Sequence, residues 1–294
     1  MKMKRFAALL TAALMVGSAV TGCGNGDDKE AGWDSSNDIT VVSREEGSGT
    51  RGAFVELFGV EEEVDGEKVD MTTTEANTTS STSVMMTTVA GNEYAIGYIS
   101  LGSLDDSVKA LKIDGTEATA ENIKDGSYKV SRPFNIATKG TVSAQAQDFI
   151  NFIMSTEGQA IVEENGYIPM DGAKEYSSTN PSGKVAIAGS SSISPLMDKL
   201  KEAYVAKNPN VNIELQTNDS TTGMTAVKDG IADIGMASRE LKDSETKAGL
   251  TPTVIALDGI AVIVNKENPT DELGTKEVKS IYTGDALTWD QVVE

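Results

Sequence analysis

Three loops in this chain place glycine and hydroxyl side chains where a helix is about to begin. Arg44-Glu45-Glu46-Gly47-Ser48-Gly49-Thr50 follows the β-branched run Ile39-Thr40-Val41-Val42-Ser43. Gly189-Ser190-Ser191-Ser192-Ile193 follows Val185-Ala186-Ile187-Ala188, and Thr217-Asn218-Asp219-Ser220-Thr221-Thr222-Gly223 follows the alternating Val211, Ile213 and Leu215. The chemistry of this arrangement is anion binding. The first N–H groups of a helix lack intrahelical acceptors and sit at the positive end of its dipole. Glycine lets the backbone approach closely, and serine and threonine hydroxyls rotate to donate to a tetrahedral oxyanion. Arg44 adds a full charge in a planar fork suited to two oxygens at once. One hydroxyl residue before a helix is ordinarily only an N-cap. Three such loops, one headed by an arginine, point to a ligand. No Gly-Lys-Ser/Thr closes a GxxxxG spacing, so a small oxyanion is favoured over a nucleotide.

Composition removes much of the competing chemistry. With no histidine and one cysteine in 294 residues, Ser-His-Asp triads, Cys-His pairs, histidine-ligated metals, internal disulfides and cysteine clusters are excluded. No cofactor is expected. A serine nucleophile at Ser191 or Ser220 would lack an activating base, since those loops offer no lysine at helical spacing. The chain carries 25 basic and 45 acidic side chains, a formal net charge of −20. That balance speaks against nucleic acid or an anionic membrane surface as partner.

The elements that must position these loops read as α/β. Phe54, Leu57 and Phe58 give one face of a helix that Gly59 stops. Ser194 as N-cap and Pro195 at N1 open a helix with Leu196, Leu200 and Tyr204 on its apolar stripe. Met224 and Val227 begin a shorter one, closed by Gly230. Thr253 to Asn265 is too apolar for a surface strand and reads as sheet core, and Tyr128 to Thr138 as another extended crossing. Phe149, Ile150 and Ile153 mark an amphipathic helix that Ile161 and Val162 continue or follow, and Val278, Ile281 and Tyr282 mark a last one. Residues 171–183 read as an internal linker and the acidic run 61–70 as a solvated loop. Length fits two domains or one two-lobed unit.

The front end reads as an export address. Lys2, Lys4 and Arg5 precede an apolar run, Phe6 to Val20, too short to span a bilayer comfortably. Val20-Thr21-Gly22-Cys23 is similar to the lipobox of bacterial lipoproteins, which implies cleavage after residue 22 and lipidation of Cys23. Residues 1–22 are then a signal peptide and 23–37 a flexible tether, rich in Gly, Asp, Ser and Asn. An extracytoplasmic, lipid-anchored body follows, touching the membrane only through that lipid.

Three segments together resemble one family. Val41-Val42-Ser43-Arg44-Glu45-Glu46-Gly47-Ser48-Gly49-Thr50, Ala188-Gly189-Ser190-Ser191-Ser192-Ile193-Ser194-Pro195 and Ala256-Leu257-Asp258-Gly259-Ile260-Ala261-Val262 resemble the phosphate-binding lipoprotein of the phosphate ABC transporter. Ser131-Arg132-Pro133 and Ala232-Asp233-Ile234-Gly235-Met236-Ala237-Ser238-Arg239 fit the same pattern. The resemblance implies a type II periplasmic-binding-protein-like fold, with two α/β lobes joined by two crossing strands. It implies a non-enzymatic monomer that captures inorganic phosphate and passes it to the permease subunits. The segment order differs from the usual one and looks circularly permuted. One lobe is then 38–131 plus 266–294, the other 132–265 with the linker inside it, and the chain ends lie close together.

Carried over, the resemblance makes Arg44, Ser48, Gly49, Thr50, Ser191, Ser192 and Ser220 phosphate contacts. Ser190, Thr221, Arg239 and Glu46 are further candidates, Glu46 as the acid that orients Arg44. Where many relatives have an Asp that accepts the proton of phosphate, this chain has Arg239, an anion clamp or a surface charge. Unless Glu46, Asp219 or Asp258 takes that role, sulfate, molybdate or tungstate is an alternative ligand; a serine hydrolase using Ser191 or Ser220 is a remote alternative function.

Overall fold

A computed structural model describes residues 33–293. The expected signal peptide and Cys23 lie outside them. Strand β1 (Thr40–Arg44) leads into α1 (Gly49–Leu57), followed by β2 (Glu61–Val64), β3 (Glu67–Asp70), β4 (Asn77–Thr79), α2 (Thr82–Ala90) and β5 (Ala95–Ser100). Short strands β6 (Lys109–Ala110) and β7 (Lys112–Ile113) and helix α3 (Ala120–Lys124) lead to the first crossing strand, β8 (Ser131–Lys139). Next come α4 (Ala144–Ile153), α5 (Thr156–Glu164), β9 (Gly183–Ser190), α6 (Ser194–Lys207), β10 (Val211–Asn218), α7 (Ser220–Lys228), β11 (Ile234–Ala237) and α8 (Asp243–Lys247). The second crossing strand, β12 (Leu250–Val264), then runs back, ahead of β13 (Glu272–Leu273) and α9 (Thr275–Thr283).

The main sheet runs β10-β9-β11-β8-β12-β5-β1-β4, so the two crossing strands lie side by side at its middle. β12 is 15 residues long and serves both halves. Its first part pairs with β8 as far as Gly259–Ser131, and Ile260 to Val264 pair with β5. The cores divide at the same place. Ile255 and Ala256 pack with Phe134, Phe149, Leu200 and Ile213, whereas Ile260, Val262 and Val264 pack with Phe54, Tyr98, Ile281 and Trp289. The lobe change therefore falls at Gly259, ahead of the expected boundary at 265, because 260–264 bury their side chains in the first lobe.

Two expectations need correction. Residues 61–70 form a β-hairpin rather than a loop: Asp65 and Gly66 both hold positive φ (54° and 83°), the geometry of a two-residue hairpin turn. Residues 33–37, expected in the tether, are docked on the body: the Trp33 ring stacks on Tyr94 and meets Trp289 edge-on. Residues 171–182, in the expected linker, form an irregular, mostly exposed strap that Tyr176 and Thr179 tie to Asp148 of α4. The two ends of the described chain do meet. Asp290 N donates to Ser35 O (2.8 Å) and Ile39 N to Leu287 O (2.7 Å), the neighbourhood a permuted order requires.

Candidate functional site

Four helix entrances converge where the lobes face each other. In the first lobe, β1 ends at Arg44 and Ser48 caps α1, its hydroxyl accepting from Arg51 N (3.3 Å). In the second, β9 delivers Ser190, Ser191 and Ser192 to the start of α6, and Asp219 caps α7, which begins at Ser220. The helices start within a residue or two of the expected positions, with Ser194 inside α6 rather than capping it.

Contacts across the cleft join the expected residues. Arg44 Nη2 donates to Ser191 Oγ (3.1 Å), and the Thr50 and Ser192 hydroxyls share a hydrogen bond (2.8 Å). Thr221 N donates to Gly47 O (3.1 Å), again from one lobe to the other. Ser220 Oγ accepts from Ser238 N (3.1 Å), and Ser238 Oγ lies 3.4 Å from Thr50 Oγ1. Gly49 has to be glycine here: a Cβ would come within 2.8 Å of Ser238 Oγ and closer still to Ser220 Oγ. Ser190 faces inward as a support, its hydroxyl donating to Ser238 Oγ and accepting from Ser192 N.

The first lobe fixes Arg44 from several sides. Its Nε and Nη2 both donate to Glu45 (2.8 and 2.7 Å), while Glu46 is exposed, so the acid that orients the arginine is Glu45. The turn after β1 carries Glu46 outward, which the sequence alone does not reveal. Arg44 N donates to Tyr98 Oη (3.1 Å), and Arg51 Nη1 donates to Arg44 O (2.8 Å). Burial pushes the Tyr98 phenol up to about 12, so it remains a neutral anchor. Glu245 holds Arg239 in a two-pronged ion pair (2.9 and 2.8 Å), with Arg239 Nη2 also 3.3 Å from Thr221 Oγ1, and Arg239 holds that carboxyl below its ordinary range against the effect of burial.

Two residues joined here were not among the expected contacts. Thr82 opens α2 behind the Ser81 cap; its backbone N lies 3.4 Å from Ser191 Oγ, and Arg44 Nη1 is 3.5 Å from its hydroxyl. The run Thr78-Thr79-Ser80-Ser81-Thr82 before an apolar helix carried the same signal as the other three loops. Ser238, which joins Ser190, Ser220 and Thr50, was the other. Among the described residues no group of three or more His, Cys, Asp or Glu could hold a metal, and no helix is long and apolar enough to cross a membrane.

Two lobes with a hydroxyl-lined, arginine-anchored cleft define a solute-binding protein for a small oxyanion. A family model described as a PBP superfamily domain matches residues 28–157 and 174–293. The phosphate-binding protein PstS 2 of Streptococcus agalactiae is 54% identical over 99% of both chains, and that of Streptococcus pneumoniae serotype 4 is 45% identical over 99% of this chain and 100% of its own. These matches run end to end, so the relatives share this segment order. The crystal structure of a phosphate-binding protein of a phosphate ABC transporter from Streptococcus pneumoniae TIGR4 superposes with a TM-score of 0.70 at 47% identity, covering 87% of this chain and all of that one. The chain belongs to the PBP superfamily and, within it, to the PstS phosphate-binding proteins.

Proposed function

We propose that this protein captures inorganic phosphate between its lobes and delivers it to the permease of an ABC transporter. The observation that carries the reading is the Arg44–Ser191 contact, which brings a guanidinium from one lobe to a helix entrance of the other. An oxyanion between them would take N–H and O–H donors from Ser48, Gly49, Thr50, Thr82, Ser191, Ser192 and Ser220. Neutral dipoles fixed in a dry cleft stabilise an anion without large reorganisation. Closure follows because the full donor set exists only when both lobes contribute. The overall negative charge does not oppose capture, since exposed charges are screened beyond about 8 Å at physiological salt.

Lipidation of Cys23 would hold the body at the outer face of the membrane, within reach of the permease. The support is the Val20-Thr21-Gly22-Cys23 pattern and the placement there of the chain's one cysteine. The protein is a binding protein and not an enzyme, as its family membership implies.

Calorimetric titration with phosphate, sulfate, molybdate and tungstate tests the reading. Phosphate binds with a 1:1 stoichiometry, and Arg44→Ala weakens it by about 100-fold, the loss of charge-assisted hydrogen bonds. Sulfate binding that phosphate cannot displace would overturn the assignment in favour of another oxyanion.

A further inference from the structure

Behind the cleft, at the lobe change, lies a second buried charge cluster that the capture site does not use. Arg132 of β8 and Asp258 of β12 are register partners on the two crossing strands, and both are buried. One contact joins them, Arg132 Nη2 to Asp258 Oδ2 (3.0 Å). Arg132 Nε and Nη1 are buried and have no hydrogen-bond partner in the protein, and the hydroxyls of Ser100, Ser103 and Tyr167 lie close to one another and to Asp258 without a well-aligned hydrogen bond among them. Asp258 Oδ1 receives a single long contact, from Gly102 N at 3.5 Å. Natural interiors pair such groups almost without exception. Two unpaired nitrogens on the arginine and three poorly aligned hydroxyls around the pair, drawn from both lobes, mark an environment that has another state.

We propose that the Arg132–Asp258 pair is a proton-linked counterweight to the captured anion: as phosphate settles beside Arg44, Asp258 takes a proton from solvent onto Oδ1, and Arg132 becomes a second uncompensated cation behind the cleft. The inference rests on the phosphate reading above. The carboxylate becomes a neutral carboxyl and no other bond changes. Oδ2 keeps the Arg132 hydrogen bond, and the Ser100 hydroxyl, which adjoins Asp258, turns from donor to acceptor of the new O–H.

The charges around the pair favour that step. Burial lowers the affinity of Arg132 for a proton, Asp258 opposes it, and the like charge of Arg44 adds a smaller push in the same direction as burial. The groups facing Asp258 are Arg132 on β8, Tyr128 just before it and Tyr167 beyond α5, with Arg44 of β1 behind Arg132. Burial already pushes Asp258 up to about 6, against the pull of Arg132. An incoming anion adds like charge on the Arg44 side and raises the carboxyl further. Near neutral pH, one proton relieves that repulsion.

The experiment is titration of phosphate into the full chain, near pH 7, in buffers of different ionisation enthalpy. The dependence of the apparent heat on the buffer counts protons taken up. Wild type takes up several tenths of a proton more per phosphate than Asp258→Asn, with the ligand's own ionisation common to both. Equal counts would overturn the proposal while leaving phosphate capture standing, and absence of phosphate binding by wild type would overturn both. Infrared difference spectra on the wild type guard against a variant that fails to fold. A neutral-carboxyl band that appears on adding phosphate and shifts with aspartate isotope labelling is expected, and its absence counts against the proposal.

Discussion

Asp148 and Asp258 are both almost wholly buried, 2% and 1% exposed, yet their surroundings treat the negative charge in opposite ways. Asp148, on α4, accepts from four donors: the Tyr176 and Tyr204 hydroxyls and the Thr179 backbone and side chain. Burial pushes its pKa up, but those donors outweigh burial and hold it below the ordinary carboxylate range. Asp258 has a full cation as partner and still rises to about 6, with burial the larger effect. At Asp148 four donors outweigh the cost of burial, whereas at Asp258, deeper among the strands, burial outweighs a single cation. Asp148 is a fixed charge that ties the strap to its lobe. Asp258 is a charge the protein can give up.

The largest effect expected from this contrast is at Asp148. Asp148→Ala leaves two tyrosine hydroxyls and the Thr179 amide without their acceptor and unties residues 171–183, at a cost of about 4 kcal/mol in urea unfolding at neutral pH. The pH dependence has a definite sign. Because the folded pKa is depressed, the stabilisation is present above the unfolded value near 4 and is lost as pH falls through the lower, folded one. A loss no greater than that of an ordinary surface substitution would break the contrast.

Asp258 should show the reverse slope. Its folded pKa lies above the unfolded value, so the folded state binds more protons between about pH 4 and pH 6. Its contribution therefore falls as pH rises across that window, by up to about 3 kcal/mol for a shift of this size, and is level above it. The difference in unfolding free energy between wild type and Asp258→Asn, followed from acid to neutral pH, reads this directly. A flat difference would mean that the pair titrates as an ordinary carboxylate.

Neither carboxylate's pairing was legible in the sequence, while the helix entrances that meet in the cleft largely were. The three loops at Arg44, Ser190 and Ser220 announced themselves because strand, hydroxyl-rich turn and helix are all local patterns. Thr82 escaped because the strand before it, Asn77–Thr79, is short and polar and does not stand out as a strand. The hairpin at 61–70 was hidden by its charge, although Asp65-Gly66 is a recognised turn signal. Glu45 and Glu46 differ only in the direction the turn sends them, which needs backbone geometry. The Arg132–Asp258 pairing depends on the antiparallel register of two strands far apart in the chain, and Asp148 meets Tyr176 and Tyr204 only after two helices and the strap have packed. Long-range juxtaposition left no local trace.

The finest test compares two tyrosines. Tyr204 Oη donates to Asp148 Oδ2 at 3.0 Å, whereas Tyr167 Oη, beside the Asp258 cluster, lies near the Ser100 and Ser103 hydroxyls without a well-aligned hydrogen bond. Both rings are buried among apolar neighbours, so replacement by phenylalanine changes little except the hydroxyl. Tyr204→Phe removes a hydrogen bond to a charged acceptor and costs about 2 kcal/mol. Tyr167→Phe removes a buried oxygen that makes no well-aligned bond, and the expected change in unfolding free energy is zero or a small gain. Equal losses at the two positions would mean that the Tyr167 hydroxyl is satisfied after all, and that the hinge cluster is as settled as the one around Asp148.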